Sequence, residues 1–388
     1  MKRMAADLRD AKTPIPFNRS ATMGKELQYV AEAMSIGQIA GNHAFTRKCE
    51  DLLTRLAGHR KTLLATSCTH ALEMSALLLD LQPGDEVVLP SFTFVSTANA
   101  YALRGARPVF ADSRADTINL DETKLESLLT PRTKAVVVVH YAGVGCEMDR
   151  IGDLCKAKGI ALVEDNAHGL FGKYRGRPLG SFGDFATLSF HETKNITCGE
   201  GGALGVNNPA YVERAEILRE KGTNRAQFFR GMVDKYTWVD IGSSYVMSDL
   251  LAAFLYGQLE QWQRVQEARK NLWERYHLHL ASWCRERGVR QPVVPGHCDQ
   301  AYHMYYLICP SLEFRTAFLD HLKARGVLAV FHYQALHLST MGRKFGGEPG
   351  QCPVAEGLAD TLVRLPFFNE MTREEQQVAI DAVLSFKG

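Results

Sequence analysis

The stretch "TKAVVVVHYAG", Thr133 to Gly143, decides the fold. Four consecutive valines leave no face for water. A β-branched run without alternation is the mark of a strand buried on both sides, as in a parallel sheet covered by helices. The flanking sequence fits that reading. Upstream, "TLLATS" reads as a strand, "HALEMSALLLDL" as a helix and "PGDEVVLPSF" as a turn and strand. "VSTANAYALRG" follows as a helix stopping at Gly105, then "RPVFAD" as a strand and "LDETKLESLL" as a helix with acids in its first turn. Downstream, "MDRIGDLCKAKG" is a helix closed by glycine, and "IALVED" and "DFATLSFH" are strands. Alternating strands and helices predict an α/β domain with a mainly parallel sheet and right-handed crossovers.

After Tyr245 the pattern changes. "SDLLAAFLYGQLEQWQRVQEARKNLWERYHLHLASW" reads as one long helix or two nearly continuous ones. A smaller α/β segment follows, with "HMYYLICP" and "VLAVFHY" as strands around the helix "RTAFLDHLKARG", and "REEQQVAIDAVLSF" as the last helix. The expected division is residues 1–255 as a large domain with an N-terminal arm, and 256–388 as a connecting helix and small C-terminal domain.

Composition excludes several classes. The 45 basic and 43 acidic residues are well mixed, so no basic face suggests nucleic acid or a membrane surface. No apolar run reaches the roughly 18–20 residues of a membrane span, and the start does not read as a signal peptide. The nine cysteines are scattered, without a C-x-x-C pair. They predict reduced thiols in a cytoplasmic protein and no metal ligand set.

Open α/β sheets bind ligands at the carboxyl ends of their strands. Four groups of polar residues are expected there. Thr66, Ser67, Cys68, Thr69 and His70 follow the first strand and open a helix; such a turn is either an anion site or a plain N-cap. Ser91 to Phe94 follow the second strand, with Phe94 either core or a stacking platform. Asp165, with Glu164, Asn166 and His168, ends a strand where a carboxylate needs a partner. Ser189, His191, Thr193 and Lys194 end another. Lys194 is either a solvated cation or a nucleophile able to form a Schiff base with a carbonyl. Together, a phosphate cradle, a flat aromatic, a carboxylate and a lysine match one cofactor, pyridoxal phosphate (PLP). No G-x-G-x-x-G follows the first strand, which weighs against a nicotinamide enzyme.

The motifs "PSFTFVSTANA", "VVVVHYAG", "LVEDNAHG", "SFHETKN" and "GEGGALG" carry a resemblance that runs from about Ile15 to the C-terminus. The chain resembles the PLP-dependent nucleotide-sugar aminotransferases of the DegT/DnrJ/EryC/StrS group. The resemblance implies the fold type I architecture of PLP-dependent transferases and a homodimer with active sites at its interface. It implies Lys194 as the lysine that holds PLP, Asp165 as partner of the pyridine nitrogen and His168 beside the ring hydroxyl. Thr69 with the amides around Cys68 would bind the phosphate with Ser189, and Phe94 would stack on the ring.

The long match "REKGTNRAQFFRGMVDKYTWVDIGSSYVMSDLLAAFL" points to the subgroup that moves an amino group from L-glutamate to C4 of dTDP-4-dehydro-6-deoxy-D-glucose. The expected products are dTDP-4-amino-4,6-dideoxy-D-galactose and 2-oxoglutarate, destined for a surface glycan such as enterobacterial common antigen or lipopolysaccharide O-antigen. The gluco epimer and a C3-amino sugar are the alternatives. A regulatory or scaffold module is the non-enzyme alternative; intact Lys194 and Asp165 weigh against it. Many relatives read "G-Y-N-x-R" where this chain has "GSSYV", Gly242 to Val246. Ser244 therefore stands where their asparagine reaches the neighbouring subunit's phosphate. In "FHYQALH", His332 and His337 are expected near the sugar nucleotide, though each reads equally as an ordinary histidine.

Overall fold

The structure, a computed structural model, describes residues 14–388. Strands β1 (Lys61–Ala65), β2 (Glu86–Pro90), β3 (Arg107–Ala111), β4 (Thr133–Val139) and β5 (Ala161–Asp165) alternate with helices. The short pair β6 (Lys173–Tyr174) and β7 (Arg177–Pro178) precedes β8 (Phe185–Ser189) and β9 (Gly202–Val206). Two-residue β10 (Cys298–Asp299) joins β6 and β7, while β11 (Tyr306–Ile308) pairs with β12 (Leu362–Arg364).

The central sheet has the order β1-β9-β8-β5-β4-β2-β3. Only β9 runs against the others, so the sheet is mainly parallel, as expected. Val136 to Val138 in β4 are wholly buried, each contributing about 2 kcal/mol through burial. The parallel direction brings the carboxyl ends of β1, β2, β5 and β8 to one edge.

β9 was not expected as a strand, because its glycines have poor strand propensity. They are there for close approach. A Cβ on Gly202 would lie 2.3 Å from the Cys68 amide nitrogen, and one on Gly205 would lie 2.3 Å from the His59 ring.

Two further expectations need correction. The helix expected over 120–129 shrinks to Leu125–Leu128, because Asp121 captures the amide and hydroxyl of Thr123 at 3.0 and 2.6 Å. "VLAVFHY" makes only isolated bridges, Val327 to Ile15 and Val330 to Arg364. Its backbone then turns through Tyr333 at φ 49°, which leaves no ladder to continue. Of the two readings of the segment after Tyr245, the structure takes the second, two nearly continuous helices, Asp249–Leu259 and Trp262–Arg287. The first packs on Glu26–Ile36, and the second reaches the C-terminal helix Arg373–Leu384. No helix of the described residues is long and apolar enough to cross a membrane.

Candidate active site

A cavity of about 890 Å³ lies at the carboxyl edge of the sheet. Its wall includes Cys68, Thr69, Phe94, Asp165, His168, Ser189, Lys194 and His332. Phe17 and Asn18 of the arm, and Arg364 and Phe367 of the C-terminal segment, close the other side.

Each residue is placed by its element. Ser67 caps the helix Cys68–Leu78, its hydroxyl accepting from the His70 amide at 3.1 Å. That leaves the amides of Cys68 and Thr69 without an acceptor among the described residues, at the positive end of the helix dipole. The turn is therefore a capped helix whose first two amides are left free to meet an anion. Thr69 Oγ1 lies 2.8 Å from Ser96 Oγ. Phe94 precedes the helix Val95–Ala102 and is half-exposed, its ring 6.2 Å from that of Tyr333.

Asp165 ends β5. Its Oδ2 accepts from the Thr97 hydroxyl at 2.8 Å and its Oδ1 from the Ala167 amide at 3.2 Å. Burial raises its carboxyl above the usual aspartate range, and these two donors only partly offset it. Lys194 lies five residues beyond β8. Burial lowers its ammonium to about 8, with help from the positive charge of Arg364, against the opposing pull of Cys68 and Asp165. The Lys194 ammonium forms no ion pair among the described residues.

His168 stacks on His303, with centroids 4.2 Å apart and planes at 15°. Burial, then Lys194 and Arg364, hold His168 well below the usual histidine range, so it is neutral. Its Nδ1 is buried without a partner among the described residues. His332, also kept neutral chiefly by burial, has Nδ1 2.6 Å from the Tyr141 hydroxyl.

Two expected site residues lie elsewhere. His337 is fully buried outside the cavity wall, between Ser91 Oγ at 2.6 Å and Glu356 Oε1 at 3.0 Å. With both ring nitrogens engaged, it is a packing residue, and the expectation of a substrate contact there is corrected. Ser244 is exposed and lines a second cavity of about 660 Å³ with Asn42, Arg219 and Phe229. Sequence reasoning missed Thr97, His303 and Arg364. Thr97 stands inside the quoted motif "PSFTFVSTANA", which was its only signal; Arg364 had none.

These residues fit PLP. The chemistry of the donor set is right, with free helix-terminal amides for a phosphate, a buried carboxylate for a ring N–H and a lysine for an aldehyde. The partnerless His168 Nδ1 has a polar atom to meet, and glycine at 202 is what lets β9 pass beneath the phosphate turn.

Residues 21–384 match the family model of the DegT/DnrJ/EryC1/StrS aminotransferase family. An uncharacterized protein of Methanocaldococcus jannaschii is 32% identical over 345 residues, covering 87% of this chain and 89% of its own length. The aminotransferase TlmJ from Streptoalloteichus hindustanus is 31% identical with a TM-score of 0.87, covering 96% of this chain and 98% of its own. The PLP form of the putative sugar aminotransferase Spr1654 from Streptococcus pneumoniae is 28% identical with a TM-score of 0.87, over 96% and 98% of the two chains. The chain thus belongs to the DegT/DnrJ/EryC1/StrS aminotransferase family and is a PLP-dependent sugar aminotransferase of fold type I.

Proposed function

We propose that this sugar aminotransferase moves the amino group of L-glutamate to C4 of dTDP-4-dehydro-6-deoxy-D-glucose, giving dTDP-4-amino-4,6-dideoxy-D-galactose and 2-oxoglutarate. The observation that carries the chemistry is Lys194 and Asp165 in the wall of one cavity, with the lysine lowered to about 8. The long match across Arg219 to Leu255 supports the sugar; the epimer is what the NMR test below decides.

When bound, PLP acts as an electron sink for the carbanion left by proton removal. Lys194 Nζ would hold the cofactor and, once released, take the proton from the donor's Cα. A lysine at about 8 has a substantial amine fraction near neutral pH, which a solvated lysine lacks. In the second half-reaction the same Nζ would deliver a proton to one face of the sugar's C4. Asp165 would keep the ring nitrogen protonated, and that N–H would in turn satisfy the buried carboxylate. Cys68 and Thr69 amides with Ser189 would bind the phosphate, neutral His168 would meet the ring hydroxyl, and Phe94 would cover a ring face. His332 remains a candidate for the sugar nucleotide.

We also propose a homodimer. Phe229 lines the second cavity with Ser244, and Met232 and Trp238 of the same segment are exposed; a second copy would cover them and bring Ser244 towards its partner's phosphate site. A cytoplasmic location agrees with nine free cysteines, eight of them buried. The test is NMR of the product made from L-glutamate and the 4-keto sugar. An axial amine at C4 is expected. An equatorial amine, or amination at C3, would reject the substrate or epimer assignment.

A further inference from the structure

Apart from Lys194, one full cation among the described residues lines the cavity, and none of their carboxylates matches its charge. Arg364 sits at the end of β12, its backbone fixed by two hydrogen bonds to Val330, at 2.7 and 3.1 Å. Its guanidinium carbon stands 4.5 Å from the centre of the Phe17 ring. The only hydrogen bond its side chain makes among the described residues is a long one, 3.3 Å, from one terminal nitrogen to the Phe331 carbonyl. Its Nε is buried without a partner among the described residues.

No described carboxylate pairs with it. Among the described residues the cavity holds two, Asp165 and Glu200. Asp165 is bonded to Thr97 and Ala167, and Glu200 lies against His191 at 3.6 Å. The other basic neighbours, His168 and His332, are neutral. Burial also lowers Arg364 itself, showing how poorly its charge is compensated. A half-buried guanidinium with a buried Nε and no counter-charge is costly, and a planar, bidentate anion relieves that cost best.

We propose that Arg364 is the carboxylate site of the amino donor, holding the donor's α-carboxylate while its Cα lies at Lys194. This rests on the proposed use of L-glutamate. The α-carboxylate is the anion one bond from the reacting carbon, and Arg364 lies close enough to Lys194 for its charge to lower that ammonium. The Phe17 ring lies against the guanidinium on one side. A hydroxylated sugar ring has no charge to offer this position.

The test separates the half-reactions. PLP-loaded wild type, Arg364→Gln and Arg364→Lys are mixed with L-glutamate alone, and the loss of the cofactor's absorbance is followed. Arg364→Gln should raise the apparent Kd for glutamate roughly 30-fold or more, the loss expected for a charge-assisted pair, with Arg364→Lys intermediate. Calorimetry on the same loaded proteins should show weaker binding of glutarate, an unreactive dicarboxylate, and unchanged binding of dTDP. Equal glutamate and glutarate affinities in wild type and Arg364→Gln would overturn the inference. So would a loss confined to dTDP, which would give Arg364 to the nucleotide's diphosphate. If glutamate fails to discharge the wild type itself, the donor assignment falls, and this inference with it.

Discussion

Thr97 donates its hydroxyl to Asp165 Oδ2 at 2.8 Å, and its own oxygen lies 2.9 Å from that of Thr93. The carboxylate expected to face the cofactor's ring nitrogen is thus oriented from behind by the helix Val95–Ala102. Thr97→Val keeps the shape and removes the donor. Burial already raises Asp165, so the variant should raise it further and weaken its charged form. PLP affinity of the apoprotein should fall about tenfold, the worth of one hydrogen bond to a charged group. Fluorescence titration with PLP checks this; an unchanged Kd would remove Thr97 from the site's design.

Lys194 makes an opposite pair of predictions for activity and stability. Lys194→Met should lower turnover by at least about 10³-fold, since one side chain serves as cofactor anchor and proton carrier. The same change should stabilise the apoprotein near neutral pH. The folded-state value, about 8, lies below the ordinary 10.5, so the unfolded chain binds more protons between those limits and wild-type stability rises with pH there. The variant's advantage in Tm should be full below pH 8 and vanish by about pH 10.5. A melting series across that range decides it.

Behind the site, His140 Nε2 and Glu164 Oε2 meet at 2.9 Å with both side chains fully buried. Glu164 also accepts from the amides of Gly180, Phe182 and Gly183, which pins the loop before β8. Burial works to raise Glu164, but His140 and these amides outweigh it and hold the carboxyl below its usual range. A depressed acid contributes stability above its unfolded value, 4.5, and loses it as pH falls through the folded value. His140→Ala should cost about 3–5 kcal/mol by stranding a buried charge. Its denaturation midpoint in urea at pH 7 measures this; a cost below about 1 kcal/mol would show that the amides alone satisfy Glu164.

The legible part of the molecule was the part governed by local pattern. The valine run of β4 and the polar residues after β1, β5 and β8 announced the sheet edge, because period and strand ends are written in consecutive residues. What stayed hidden depends on partners distant in sequence. His337 and His332 are five residues apart in one apparently uniform segment, yet one is sealed between Ser91 and Glu356 and the other lines the cavity. Gly202 read as a poor strand former until its approach to Cys68 was seen. Arg364 stands 170 positions after Lys194, and nothing around it in sequence signals its isolation from acids.

Arg269 ties the lysine's loop to the small C-terminal segment. It is 2% exposed, has no acidic partner among the described residues, and burial lowers it to about 9. Its nitrogens donate to the carbonyls of Tyr302 and His303 and to Asn369 Oδ1, the last at 2.7 Å. Asn369 Nδ2 donates to the Asn195 carbonyl at 2.9 Å, and Asn195 Oδ1 lies 2.9 Å from His303 Nδ1. The chain of bonds therefore fixes the residue beside Lys194 and the ring stacked on His168 together. Asn369→Ala cuts the link at its middle without emptying a large core volume. Stability should fall by about 2–4 kcal/mol, the summed worth of one bond from a buried guanidinium and one neutral bond. If the network orients Lys194 for proton transfer, kcat should fall about tenfold with KM for both substrates nearly unchanged, since only the reacting geometry is loosened. Steady-state kinetics with each substrate varied in turn would check it. A drop in Tm with kcat intact would reduce the network to a structural tie.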